Sequence, residues 1–246
     1  MSEPQEDSFI SHLVELRDRL LRAVVAVVAI FVCLMPWAGD IYDILAQPMM
    51  QALPDGTRMI ATGVVTPFFV PMKVTLLVAF VIALPFVLYQ AWCFIAPGLY
   101  AHEKRLGLPL VVGSTVLFLA GMAFCYFFVF GTVFKFIAQF APKSITPAPD
   151  IEQYLAFVMS MFLAFGITFE VPVIVIVLVK LGIVDVAKLK EARPYVIVGA
   201  FVIAAVVTPP DVVSQLMLAI PMCLLYELGI FLARFVTKRQ PEAVAE

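Results

Sequence analysis

Long apolar stretches, separated by short polar segments, dominate the pattern of this chain. Each stretch is continuously apolar, whereas the strands of a membrane barrel are segments of about ten residues that alternate in polarity. A helix rises about 1.5 Å per residue, so stretches near 20 residues match a hydrocarbon core of about 30 Å. We therefore predict an all-α integral membrane protein with one six-span domain, residues 1–240, and a short tail, 241–246. The predicted spans are residues 23–38, 74–95, 106–130, 154–179, 195–208 and 212–233.

The last two spans and the long connections refine this prediction. The fifth span has only about 14 residues, or about 21 Å of helix, and prolines bound it at 194 and 209. We expect spans five and six to be short and to make a thin wall. The connections at 39–73 and 131–153 contain apolar residues at helical spacing, which predicts short amphipathic helices on the outer membrane surface.

Composition excludes several classes of protein. With 63% hydrophobic and 14% charged residues, the chain cannot cover itself with a polar surface as a soluble globule does. Its 16 bases and 18 acids form no basic stripe, so we expect no nucleic-acid partner. The four cysteines lie far apart in apolar stretches, which predicts reduced core residues. We expect neither a metal nor a cofactor.

The distribution of Lys and Arg predicts the orientation. Cytoplasmic segments of membrane proteins carry an excess of these bases. With six spans, the richer side contains both termini, which are therefore predicted to be cytoplasmic, and the acidic segment before the first span predicts that this span is a retained anchor. The richer side holds residues 17, 19, 22, 104, 105, 180, 188, 190, 193, 234, 238 and 239, and the poorer side holds residues 58, 73, 135 and 143.

One acid lies deep in a span. Glu170 is the single charged residue between Tyr154 and Val179. An ionised acid there costs at least about 2.5 to 3.5 kcal/mol, and protonating it at pH 7 costs roughly 3.7 kcal/mol, so the charge state stays open. Either form requires a polar partner.

Two cytoplasmic acids are candidates for ligand binding. Glu15 lies on the polar face of an amphipathic helix predicted over 8–22, where the alternative is a simple pair with Arg19 one turn later. Arg17 lies amid the apolar face and is expected to snorkel or to pair with an acid elsewhere. Glu103 follows span two, and its alternative role is a solvated charge. In the last span we expect Glu227 to pair with Arg234, two turns away.

Enzyme classes find no support in the sequence. No zinc-protease, nucleophile-elbow or phosphate-loop motif is present, and the two histidines, His12 and His102, lie in cytoplasmic segments. A proton- or ion-coupled solute transporter that uses Glu170 is the main alternative, because transporters contain intramembrane acids and proline-broken helices. We find no inverted repeat to support that alternative.

Five segments of the chain match the motifs of a known family. They are HLVELRDRL from His12, QAWCFIAPGL from Gln90, FGITFEVP from Phe165, RPY from Arg193 and TPPD from Thr208. Together they resemble the TatC family of the twin-arginine protein translocase, and the resemblance runs from about residue 9 to 239 with the segments in the same order. It implies a receptor in the bacterial cytoplasmic membrane that binds the twin-arginine signal peptides of folded cargo and works with TatA, TatB and further TatC copies on the proton-motive force.

The resemblance also implies functional residues. Two carboxylates suit this role, because the planar fork of an arginine donates charge-assisted hydrogen bonds to a carboxylate in a geometry that lysine cannot reproduce. Signal-peptide contacts are implied for Glu15, Arg17, Phe94, Pro97, Leu99, Glu103 and Lys104, intramembrane polar or partner contacts for Glu170 and Gln215, and outer-side roles for Pro48 and Asp211.

Overall fold

The computed structural model of the chain describes residues 3–52, 58–95, 104–140, 148–208 and 211–237, which are almost entirely helical. This confirms the all-helical prediction. The helices are α1 (Glu3–Leu34), α2 (Ala38–Ala52), α3 (Thr66–Ile95), α4 (Lys104–Phe124), α5 (Phe130–Phe140), α6 (Ile151–Lys180), α7 (Val186–Glu191), α8 (Arg193–Val207) and α9 (Val212–Thr237), with a 3₁₀ turn at Met35–Trp37 and a π-helical turn at Cys125–Val129. Within the described ranges, the only extended pairing is a parallel bridge between Ile60 and Asp150.

Among the described residues, five helical stretches are long and apolar enough to cross a membrane, and Arg193–Val207 is a shorter apolar helix. The predicted short length of the fifth apolar segment is confirmed, since α8 has 15 residues. The expectation of a short sixth span is wrong, because α9 has 26 residues, or about 39 Å of helix. Its apolar run continues past Arg234, a base that the last turn of a helix tolerates well. A sixth crossing and the orientation stay predictions from the sequence.

The predicted helices in the two long connections exist, but they continue the helices before them. The 3₁₀ turn, with Pro36 in it, joins α1 to α2 without a break. The π-helical turn likewise joins α4 to α5. Pro48 therefore lies inside α2 and not in a loop.

The chain folds into two compact units. The first comprises residues 1–45 and 63–115, and in it α1 packs along α3. The buried face of α3 includes Val74, Ala79 and Leu84. Its Trp92 indole N–H donates a buried hydrogen bond of 2.8 Å to the Ser114 hydroxyl on α4. This bond satisfies two polar groups that would otherwise be costly to bury.

The second unit comprises residues 46–62 and 116–246, and α6 is its central helix. Small residues let helices approach it closely on two sides. A Cβ at Gly121 of α4 would lie 2.5 Å from the carbonyl oxygen of Phe165, and a Cβ at Gly229 of α9 would lie 3.0 Å from Cα of Pro172. Small residues at helix crossings are typical of membrane bundles, where close backbone approach supplies the van der Waals attraction.

An aromatic column fills the space between α6 and the segment formed by α4, the π turn and α5. Neighbouring ring centroids lie between 5.2 and 6.5 Å apart, within the range of favourable aromatic pairs. The column extends along the N-terminal half of α6, from Tyr154 to Phe169. Its rings belong to Phe124, Tyr126, Phe130, Phe134, Tyr154, Phe157, Phe162, Phe165 and Phe169.

Candidate functional site

The charged end of α1 carries the first candidate group. Glu15 and Arg19 lie one turn apart, so their side chains meet on one helix face. The Arg19 guanidinium donates through Nε at 2.9 Å and through Nη2 at 2.5 Å, and both nitrogens contact Oε1 of Glu15. The expected local pair is thus confirmed. The Glu15 side chain is 42% exposed and the Arg19 side chain only 24% exposed, so the carboxylate is the more accessible partner.

Helix α3 supplies a second contact to this guanidinium. Nη1 of Arg19 lies 3.5 Å from Oε1 of Gln90, a long contact at the limit of hydrogen bonding. Gln90 is buried, with 6% of its surface exposed. The thiol of Cys93, nearly one turn further along α3, also contacts Arg19. Arg19 is therefore held between two helices, unlike a solvated surface base.

The neighbouring Arg17 behaves differently. It donates through Nε and Nη2 to Oδ1 of Asp18 at 2.9 and 2.8 Å, and both side chains are largely exposed. The expectation that Arg17 pairs with an acid elsewhere is wrong, because its partner is the adjacent Asp18. An exposed pair of this kind contributes little to stability.

The remaining cytoplasmic candidates are only partly described. Phe94 lies in the last turn of α3 and is half-buried. Pro97, Leu99 and Glu103 lie outside the described residues, and of Lys104 only the backbone, at the start of α4, is described. The structure thus brings the Glu15 and Phe94 helices together, while the position of Glu103 relative to them stays a prediction.

The intramembrane acid is buried within its own chain. Glu170 lies in α6 with 6% of its surface exposed, and Thr168 beside it is 1% exposed. The two tight crossings flank this position, with Phe165 on its N-terminal side and Pro172 on its C-terminal side. Little of the Glu170 surface is therefore left for a partner chain.

The predicted outer turn organises the hairpin of α8 and α9. Asp211 precedes α9, and its Oδ1 accepts a 2.7 Å hydrogen bond from the backbone N–H of Ser214, which is the geometry of a helix N-cap. The Gln215 amide donates across the hairpin to the carbonyl oxygen of Phe201 at 3.3 Å. Asp211 therefore caps α9, and Gln215 joins α9 to α8.

Sequence reasoning missed a carboxylate that connects the two outer segments. Oδ1 of Asp150 caps α6 through the N–H groups of Glu152 and Gln153, and Oδ2 accepts hydrogen bonds from the N–H and hydroxyl of Thr62 at 3.0 and 2.7 Å. These bonds, those from Thr62 above all, hold the pKa of Asp150 below its usual range. An Asp directly before an apolar run with Gln three residues later is a cap signal in the sequence, but nothing local points to Thr62.

The expected pair between Glu227 and Arg234 is wrong. Glu227 accepts a 2.6 Å hydrogen bond from Nη2 of Arg193, at the start of α8. The Tyr226 hydroxyl donates to the carbonyl oxygen of Leu189 in α7 at 2.8 Å, in the same region. The ends of α7, α8 and α9 are thereby joined. Two bases were available to Glu227, and the packing of neighbouring helices selected the more distant one in sequence.

No arrangement suited to metal binding occurs in the described part of the chain. All four cysteines are free thiols, as expected. Cys125 is buried, but Cys33 is exposed on α1, so it is not the core residue that the sequence suggested. The polar groups that the structure does bring together are suited to binding charged ligands and to fastening helices.

Comparisons with known proteins give the same result by sequence, by family and by structure. The family model described as Sec-independent protein translocase protein (TatC) matches residues 11–221. The Sec-independent protein translocase protein TatC of Haemophilus influenzae is 51% identical over 98% of this chain and 94% of its own length. The protein of the same name from Escherichia coli K12 is 50% identical over 96% of this chain and 91% of its own. A crystal structure of the twin arginine translocase receptor TatC superposes with a TM-score of 0.81 at 40% identity, and covers 92% of this chain and 99% of that one.

Proposed function

The chain belongs to the Sec-independent protein translocase protein (TatC) family, and from this membership we propose that it is the membrane receptor for twin-arginine signal peptides. Folded cargo that carries such a peptide would bind here first. The peptide's arginines would be recognised by the carboxylates of Glu15 and Glu103, with Arg17, Phe94, Pro97, Leu99 and Lys104 around them. The receptor would act within a translocase that moves the cargo on the proton-motive force.

The arrangement at Glu15 is the observation that supports this proposal. Its carboxylate already accepts hydrogen bonds from two nitrogens of the Arg19 guanidinium, and 42% of its side chain stays exposed. A carboxylate has two oxygens with about four lone-pair directions, so it can accept a second guanidinium beside the first. Charge-assisted bonds of this kind are about twice as strong as neutral hydrogen bonds. Paired carboxylates, each of this kind, would favour a pair of arginines over a pair of lysines.

Site-specific crosslinking to a twin-arginine signal peptide tests this role. Glu15→Gln and Glu103→Gln keep side-chain size and remove the negative charge, so each should weaken the crosslink, and the double variant should lose it. Asp40→Asn is the matched control, because this exposed acid lies near the other end of the first helical stretch. An undiminished crosslink in the double variant would remove both carboxylates from the proposal.

We propose that TatA, TatB and further copies of the chain are the partners of this receptor. The short helix α8 offers an apolar face to them, since Tyr195, Val198 and Val206 are 80%, 64% and 80% exposed. With about 22 Å of helix it would also thin the lipid around it. Inserting three leucines into α8 should therefore impair partner association and export. Normal export by the lengthened chain would contradict the role of its short length.

Glu170 is proposed as a polar contact for a partner helix, with Gln215 as a second such contact. Both carboxyl oxygens of Glu170 are buried in the chain, so a partner would reach them only after neighbouring side chains shift. Hydrogen bonds between membrane helices contribute on average well under 2 kcal/mol. Glu170→Gln should therefore reduce co-purification of TatA or TatB without abolishing export. Unchanged co-purification would assign Glu170 to the packing of this chain alone.

For localisation, we propose the bacterial cytoplasmic membrane with both termini in the cytoplasm. Twelve of the 16 Lys and Arg residues on the predicted inner side support this orientation. A fusion of alkaline phosphatase to the C-terminus should be inactive, and a fusion after Arg58 should be active. The reverse pattern would invert the topology.

The solute transporter that the sequence left open is not favoured by family membership. Deleting the chain discriminates between the two functions, because a translocase receptor is required for the export of folded twin-arginine cargo and a transporter for the uptake of its solute. We expect the export defect without the uptake defect.

A further inference from the structure

The contacts of Arg19 distinguish it from the other bases of α1. Arg17 is paired to its neighbour and its side chain is 66% exposed, whereas the Arg19 side chain is 24% exposed and reaches from α1 to α3. An ordinary exposed pair one turn apart on a helix contributes only about 0.2 to 0.5 kcal/mol and orders neither side chain strongly. The additional contact to α3 requires a different account of Arg19.

The geometry of the pair is asymmetric. Nε and Nη2 of Arg19 both contact Oε1 of Glu15, and neither contacts Oε2 in the way that a fork facing two oxygens would. One oxygen of the carboxylate is thus bound to the resident guanidinium. The Glu15 side chain is the more exposed of the two, so its carboxylate is the accessible partner of the pair.

Gln90 completes the arrangement from behind. Its Oε1 lies 3.5 Å from Nη1 of Arg19, and its burial in α3 limits the positions that its amide can adopt. A buried amide oxygen is a fixed neutral acceptor, so it attracts the guanidinium without competing for it as a second carboxylate would. The nitrogens of Arg19 are thereby divided between Glu15 and Gln90.

We infer that Arg19, supported by Gln90, is a positioning residue that orients the Glu15 carboxylate so that its second oxygen receives an arginine of the signal peptide. This inference rests on the proposed function of Glu15. In it, Arg19 is not itself the contact to the peptide. Its role is to convert a flexible acid into one of fixed direction, which is the condition under which arginine and lysine ligands are distinguished by geometry.

Discrimination between arginine and lysine is the measurement that tests orientation. The full chain, purified in detergent, would be titrated with fluorescent signal peptides that carry either an Arg-Arg or a Lys-Lys pair. Arg19→Gln should reduce the ratio of Arg-Arg to Lys-Lys affinity by about three- to tenfold, which corresponds to losing much of one charge-assisted hydrogen bond. Arg19→Lys should lose discrimination as well, because lysine keeps the positive charge but lacks the planar guanidinium.

Arg22→Gln is the matched control. It removes the same charge from the same helix, and its exposed side chain is one turn away from Arg19. The affinity ratio of this variant should stay within about twofold of the original, because exposed charges are weakly coupled in salt. Gln90→Met should shift the ratio in the same direction as Arg19→Gln. Each variant would be compared with the original chain only if the two have the same unfolding midpoint.

The outcomes separate this inference from the function on which it rests. If Glu15→Gln leaves Arg-Arg binding unchanged, the proposed function of Glu15 fails. If Glu15→Gln weakens binding and Arg19→Gln leaves the affinity ratio unchanged, only the positioning role is overturned. Tighter peptide binding by Arg19→Gln would overturn it too, since Arg19 would then be a competitor for Glu15. An affinity ratio in Arg19→Lys equal to that of the original chain would also overturn the positioning role, since the positive charge of residue 19 alone would then account for the discrimination.

Discussion

Two glycines of α4 make a sharp test of how tightly this helix approaches α6. At Gly121, an added Cβ would lie 2.5 Å from the Phe165 carbonyl oxygen and 2.9 Å from the Phe169 ring. At Gly113 in the same helix, an added Cβ would have nothing within 4 Å. The two substitutions to alanine are therefore chemically identical and differ only in what the new methyl group meets.

Opposite signs are expected for the two changes. Gly113→Ala should stabilise the chain by about 0.4 to 1 kcal/mol, because alanine restricts the unfolded chain and favours helix. At Gly121, an ordinary contact of 3.4 Å requires the carbonyl to move by about 0.9 Å. That carbonyl is part of the α6 backbone and cannot rotate away. Overpacking of this kind costs about 1 to 3 kcal/mol, so Gly121→Ala should destabilise the chain.

Thermal unfolding in detergent measures the difference. In a chain whose Cys33, Cys93 and Cys223 are replaced by serine, a thiol-reactive fluorophore would report the exposure of Cys125, which is fully buried one turn from Gly121. A gap of about 2 kcal/mol between the variants corresponds to unfolding temperatures about 4 to 8 °C apart in a protein of this size. Equal temperatures for the two variants, or a more stable Gly121→Ala chain, would refute the close approach of α4 and α6.

Three further predictions concern polar contacts. Asp150→Asn should lower the free energy of unfolding at neutral pH, and this loss relative to the original chain should shrink as the pH falls below about 4. The reason is that the pKa of Asp150 is lowered in the folded chain. Its stabilising contribution is complete above the unfolded-state pKa near 3.8 and is lost as the pH falls through the folded-state pKa. A double-mutant cycle of Arg193→Gln and Glu227→Gln should give a coupling below about 1 kcal/mol, because the two side chains are 40% and 48% exposed. Ser114→Ala should cost about 1 to 3 kcal/mol in unfolding free energy, because it leaves the buried indole N–H without its acceptor.

Each of these predictions has its own control. Asp40→Asn, which removes one negative charge at an exposed position, is the control for Asp150→Asn. A cycle of Arg234→Gln with Glu227→Gln should give no coupling, and a coupling there would restore the pair that the sequence suggested. Trp92→Phe removes the indole donor. When it is combined with Ser114→Ala, no buried N–H is left without an acceptor, so the double variant should cost less than the sum of the two single variants.

The sequence predicted what depends on local periodicity. Continuous apolar runs placed α1, α3, α4, α6, α8 and α9, and the spacing of four residues placed Glu15 beside Arg19. The sixth span was misjudged, because Arg234 was taken as the end of a run that in fact continues through it. Hydropathy shows where apolar residues stop, but a terminal base can belong to the helix that it ends.

Contacts between helices could not be read from the sequence. Thr62 and Asp150 are 88 residues apart, Arg19 and Gln90 are 71 apart, and Arg193 and Glu227 are 34 apart. Each pair depends on which helices become neighbours, and single-helix spacing carries no such information. The candidate site was thus predicted by residue type and by resemblance, whereas its arrangement around Arg19 required the structure.

The π-helical turn at Cys125–Val129 sets the rotational phase of the outer aromatic helix. Phe118, before the turn, and Cys125, its first residue, lie on one buried face, and Phe130 and Phe134 are buried after it. On an uninterrupted helix of 3.6 residues per turn, the last two would lie about 120° and 160° away from Phe118. One extra residue in the turn removes about 100° and returns both to within about 60° of that face. In evolutionary terms, the number of residues in this turn is constrained. Losing one of them would rotate the whole of α5 away from α6 and turn its aromatic rings outward, although no ring itself had changed.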